Sequence, residues 1–160
     1  MKKIKMDIEI NASREAVWDA IVDDVKYRLW TSAFSEGSFF EGGWNKGDII
    51  RFLMINKEGI KEGIVAEIAE SIYPEFISIK HIGYVSKGVD DTTSDEIKSW
   101  TPAYENYTLE KLGEGRTLFL VEADTTDEYY QMFMELWPRA LQNLKEVSEA
   151  DLVTDLAAGI

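Results

Sequence analysis

Cysteine is missing from the 160 residues, and histidine occurs once, at position 81. Without thiols there can be no disulfide, thiolate nucleophile or zinc–thiolate site, and one imidazole is too little for a His-rich metal cluster. No metal and no cofactor is therefore expected. Positive charge is also scarce: 17 Lys and Arg face 30 Asp and Glu, for a net charge of −13. That balance works against a phosphate backbone or an anionic membrane surface, so nucleic acid is not an expected partner. Long apolar runs are absent too. Met1 to Asn11 alternates apolar and charged residues, unlike a signal peptide or a membrane span, and a cytoplasmic protein without membrane insertion is expected. The glycines of Gly42-Gly43-Trp44-Asn45-Lys46-Gly47 match neither a dinucleotide fingerprint nor a phosphate loop. The acidic stretch Asp90 to Glu96 lacks the glycine and regular ligand spacing of a helix-loop-helix calcium loop.

What is present is a packed apolar pattern, with 45% hydrophobic and 12% aromatic residues. This suits one globular domain, placed at 1–149, followed by a tail, 150–160. The most regular stretch runs from Asp127 to Val147. Tyr129, Tyr130, Phe133, Met134, Leu136, Trp137, Ala140, Leu141, Leu144 and Val147 recur at three- and four-residue spacing, which predicts an amphipathic helix. Thr125 and Glu128 have the spacing of a capping box, and Pro138 falls on the polar side, where a bend curves a helix around what it covers. Such a stripe needs a large apolar partner.

The rest of the chain offers a sheet. Ile4, Met6, Ile8 and Ile10 alternate with charged residues as a strand does. Arg14 to Val22 and Val25 to Trp30 read as short helices. Strands are predicted over Ile49 to Asn56, Ile60 to Glu70, Phe76 to Tyr84, Tyr104 to Leu112 and Thr117 to Asp124, joined by short turns that dictate antiparallel pairing. Phe39 to Asp48 reads as a turn-rich connection, and 85–99 as a polar loop or flap. The sum is an α+β fold: a curved antiparallel sheet of about six or seven strands wrapped around a long C-terminal helix, with two short helices after the first strand.

Several stretches resemble the SRPBCC or START-like helix-grip superfamily, and within it the bacterial proteins similar to the C-terminal domain of activators of the heat-shock ATPase. They are Ile8 to Trp18, Gly43 to Asp48, Gly63 to Ile79, Tyr104 to Leu109 and Trp137 to Lys145, so the likeness runs from Lys3 to about Glu149. The resemblance implies an apolar pocket under the long helix and brings no catalytic residue to transfer.

Two polar residues stand out on apolar strands. By alternation His81 shares a face with Ile77 and Ile79, and Glu105 shares one with Tyr107 and Leu109. Either both point inward and hold a polar ligand head or move a proton, or His81 sits at a rim and Glu105 is solvated. Tyr27, Trp30, Phe34, Phe39, Trp44, Trp100, Tyr104, Phe133 and Trp137 are either cavity wall or plain core, and Tyr129 and Tyr130 stand where hydroxyls reach a mouth. The expected ligand-binding set is therefore Tyr27, Trp30, Phe39, His81, Glu105, Tyr107, Tyr129, Tyr130, Phe133 and Trp137. The function expected is non-enzymatic binding of a small hydrophobic or amphipathic ligand. A chaperone-interacting module and a cyclase or hydrolase using Glu105 and His81 are the alternatives, and a homodimer is a possible assembly.

Overall fold

The computed structural model describes residues 1–158, with side chains described as far as Ala150. Alternating residues make β1 (Lys2–Ile10), and the chain then turns into two short helices, α1 (Arg14–Val22) and α2 (Asp24–Thr31). Each starts on a polar cap: the Ser13 hydroxyl accepts from the Ala16 N–H at 3.2 Å, and the Asp23 carboxylate accepts from the Lys26 N–H at 3.0 Å. The strands β2 (Phe39–Gly42), β3 (Ile49–Ile55), β4 (Lys61–Ile72), β5 (Phe76–Ser86) and β6 (Val89–Asp91) follow. A one-turn helix, α3 (Asp95–Lys98), precedes β7 (Ala103–Gly113), β8 (Arg116–Thr125) and the long α4 (Asp127–Ala158).

The eight strands form one antiparallel sheet in the order β1-β8-β7-β5-β4-β3-β2, with β6 paired to the far end of β5. This is the helix-grip architecture expected of the sequence, with two differences. Phe39–Gly42, read as part of a connection, is a strand whose register sets Phe40 opposite Phe52. The polar segment after β5 is ordered: the Asp91 carboxylate accepts from the Thr93 and Ser94 N–H groups, the Ser94 hydroxyl caps α3, and Ile97 is buried. Local Asx and Ser caps, together with one apolar anchor, give this segment structure that strand periodicity does not reveal.

The main core lies on the concave face. Ile50, Ala66, Ile68, Ile77, Ile79, Leu109, Phe119 and Val121 point there, beneath Trp137, Ala140, Leu141 and Leu144 of α4. Helix α4 packs on β1, α1 and α2, and its buried side chains are concentrated from Trp137 onward. In its first two turns Tyr129 and Met132 are about half exposed, at 48% and 43%, so this part of the helix covers the sheet only loosely. Pro138 is exposed and inside the helix, on the outer side as its place in the pattern implies. The predicted capping box does not form: the Thr125 hydroxyl donates to the Thr126 carbonyl, and α4 begins after Thr126. Helix α4 continues beyond Glu149, and the tail side chains from Asp151 lie outside the described residues.

A smaller cluster of Phe39, Leu53, Val65 and Val85, with Ile82, sits on the outer face. The segment after β5 folds against it. Arg51 of β3 pairs with Asp90, and the Asp91 backbone rests on Gly83, where a Cβ would collide with the Asp91 carbonyl oxygen. Glycine is required here by close approach of two backbones. Gly83→Ala should therefore push β6 off the sheet and lower the unfolding free energy by about 1–3 kcal/mol, as overpacking does. Urea denaturation checks this, and wild-type stability in the variant would contradict the placement.

Candidate functional site

Strand register places two ionisable side chains inside the concave face. His81 of β5 lies opposite Ala66 and Ala103, and Glu105 of β7 lies opposite Ile79 and Ala123, all inward positions. The small alanines leave room for both. His81 Nε2 is 3.8 Å from Glu105 Oε1, which is an electrostatic contact and too long for a hydrogen bond. The Tyr107 hydroxyl donates to Glu105 Oε2. Burial pushes the Tyr107 phenol well above its usual value, and the charge of Glu105 and the hydrogen bond to it push the same way. The Tyr27 phenol is also raised, chiefly by burial and then by Glu105, while hydrogen bonding with Ser38 and Thr31 opposes the shift. For His81 burial dominates and lowers the pKa, with Glu105 and Asp124 acting the other way. The imidazole is therefore neutral at pH 7.

Aromatic rings enclose this group. Tyr27 of α2 is at the centre, stacked on Phe52 at 6.1 Å and flanked by Trp30 at 5.8 Å, Phe40 at 5.0 Å and Trp44 at 6.2 Å. Phe52 in turn lies 6.4 Å from the His81 ring. Trp137 of α4 closes the other side, 6.4 Å from both Trp30 and Tyr107, with Phe34 wedged against it at 4.8 Å. The indole N–H groups of Trp30 and Trp44 are buried without a hydrogen-bond partner. Buried polar groups are normally paired, so two orphan donors in one cluster are unusual.

The structure brings Tyr27, Trp30, His81, Glu105, Tyr107 and Trp137 together, and Phe133 joins them through Phe34 at 6.2 Å. Tyr129 stands near Tyr84, whose hydroxyl meets Glu62 and whose pKa is raised by burial first and by Glu62 next. Tyr130 lies apart, half-buried under the Lys2 ammonium at 4.6 Å. Phe39 is on the opposite face of the sheet, in the outer cluster, with Arg28 and Lys61 over its ring. Of the other aromatics read as possible wall, Tyr104 faces outward, beside Asp124, which accepts its backbone N–H at 2.9 Å.

Sequence reasoning missed Phe40, Phe52 and Tyr84. Phe52 carries a usable signal, being two residues from the inward Ile50. Tyr84 carries none, because a bulge between Val65 and Ala66 inserts Ile82 and reverses the alternation after His81.

The middle of the space between α4 and the sheet is filled by these rings. Two surface cavities lie elsewhere: one of about 420 Å³ between the end of α2 and Pro138 to Asn143 of α4, and one of about 250 Å³ at the start of α1 beside Lys111 to Arg116. What stays accessible on the concave face is the polar pair and the side chains beyond it. His81 and Glu105 keep 19% and 20% of their side chains open to water, and Met54 and Tyr84 are both 37% exposed.

No family model matches the chain, and none of the curated proteins matches it. Solved structures do match over nearly their full length. The Aha1 dimer from Colwellia psychrerythraea is similar at 19% identity and a TM-score of 0.65, with 93% of this chain and 97% of that chain covered. A Cytophaga hutchinsonii protein is similar at 17% identity and a TM-score of 0.69, covering 96% and 97%. Protein Ms6760 from Mycobacterium smegmatis is similar at 14% identity and a TM-score of 0.65, covering 91% and 89%. At these identities the likeness is one of fold.

The lowered His81 pKa makes stability depend on pH. Above the unfolded value of 6.5 neither state binds the proton and His81 contributes nothing to the slope. As pH falls through 6.5 the unfolded chain takes up a proton that the folded chain resists, and stability is lost until the lower folded pKa is passed. His81→Gln should therefore gain stability relative to wild type between pH 7 and pH 5. Paired thermal melts check this, and a stability difference independent of pH would contradict it.

Proposed function

We propose that this protein binds a small amphipathic molecule on the concave face, and that it does so without turnover. The polar end of the ligand sits at Glu105, His81 and Tyr107, and its apolar part runs along the loosely covered side, past Phe52 and Met54 toward Tyr84 and Tyr129. One observation carries the reading. A carboxylate and an imidazole face the inside of the sheet among largely apolar neighbours, and each keeps about one-fifth of its side chain open to water. Placing such groups there costs desolvation that a plain core would avoid, and a ligand with complementary polar atoms offsets it. The two orphan indole donors support the same reading.

Acid–base chemistry by the same pair is less well supported. A base is oriented by a hydrogen bond to its partner carboxylate, and the 3.8 Å separation of His81 and Glu105 provides none. Self-association is suggested by the solved Aha1 dimer, and a chaperone-interacting role rests on the resemblance to activators of the heat-shock ATPase alone.

Thermal shift against a panel of short-chain lipids, polyketides and aromatic acids tests the proposal. A ligand at 100 times its Kd should add about 2.7 kcal/mol. Stabilisation by at least one amphiphile, reduced in Phe52→Ala, is the expected result, and no stabilisation by any compound would contradict it.

A further inference from the structure

Glu105 is the most demanding group in the site. Its carboxylate accepts a hydrogen bond from the neutral Tyr107 phenol and acts on the Tyr27 phenol, and Phe52 packs on both Tyr27 and the His81 ring. The group facing it at ion-pair distance is His81, an imidazole that burial holds toward the neutral form. The basic side chains of the two adjacent strands do not face it: Lys80 of β5 sits opposite the outward Tyr104, and Arg116 of β8 pairs with Glu9. A carboxylate that is largely withdrawn from water without a cation is poorly compensated. Aromatic faces carry negative electrostatic potential, so a ring near a carboxylate adds to its attraction for cations.

We infer that the ligand of the concave face is a cationic amphiphile, whose ammonium group lies on the water-accessible side of the Glu105 carboxylate, beside His81 and the Phe52 ring. The inference rests on the binding reading above and specifies its ligand class. An ammonium supplies the counter-charge that Glu105 lacks and is drawn to a ring face that repels a carboxylate. The net charge of −13 draws such a ligand toward the protein over longer range.

The test is isothermal titration of the full chain with three eight-carbon probes below their micelle concentrations: octyl(2-hydroxyethyl)dimethylammonium, octanoate and octyl glucoside. The cation should bind at least about tenfold more tightly than either other probe, a difference typical of one desolvated cation–π and ion contact. Glu105→Gln should remove that preference, so that the cation and octyl glucoside bind the variant with similar affinity. It alters a net charge of −13 by one, so long-range attraction is nearly preserved and the loss reports the local contact. Equal or tighter binding of octanoate or octyl glucoside to the wild-type chain would overturn the inference and leave the binding reading intact. Binding of none of the three would overturn both. The head-group comparison is made on the wild-type protein, so it stands even if Glu105→Gln fails to fold. A Glu105→Gln chain that folds and keeps the full cation preference would also overturn the inference.

Discussion

The structure depends on one aromatic junction. Trp137 of α4 packs against Trp30 and Phe34, at or just after α2, and against Tyr107 of β7, so a single side chain joins the long helix, the short helices and the middle of the sheet. Burying rings of this size contributes more than any surface pair can, because apolar area scales the gain while exposed ion pairs are screened. Once Trp137 is seated, α4 lies along β1, from Tyr130 beneath Lys2 to Lys145 at the Glu9 carbonyl, and meets α1 and α2. Its first two turns are less buried and cover the concave face less.

That asymmetry separates a closed core from an accessible site within one sheet. On the closed side Ile4, Ile10, Phe119 and Leu144 are fully buried. On the accessible side His81, Glu105, Met54 and Tyr84 face inward yet meet water. A curved sheet larger than the helix it holds leaves such a remainder. The sheet supplies rigidity and exact strand register, which place an imidazole and a carboxylate on adjacent strands. The helix supplies the wall.

Much of this was legible in the residues. The three- and four-residue recurrence from Tyr129 to Val147 marks α4, and the two-residue alternation around Ile77 and Tyr107 orients His81 and Glu105 correctly, since β7 and the first part of β5 are regular. The failures have local causes. At Ile82 a bulge breaks the alternation, so Tyr84 points in and Val85 points out. Phe39 looks like an inner aromatic, but the short β2 pairs it with Leu53 on the outer face. Asp90 to Ile97 looks like a solvated loop because side-chain caps and the Arg51–Asp90 pair, which order it, leave no periodic trace. How far α4 covers the sheet depends on packing between distant elements, which no local pattern encodes.

The central claim is that a ligand head group meets Glu105 beside His81. Because His81 is the sole histidine, its imidazole carbon-bound protons give resolved NMR signals without mutation or selective labelling. Titration of those signals with pH, in the absence and presence of the octyl amino alcohol, is the most direct measurement. A bound ammonium should shift the resonances and lower the His81 pKa further, since a second cation disfavours the imidazolium. Signals and pKa that stay unchanged at saturating ligand would contradict the claim.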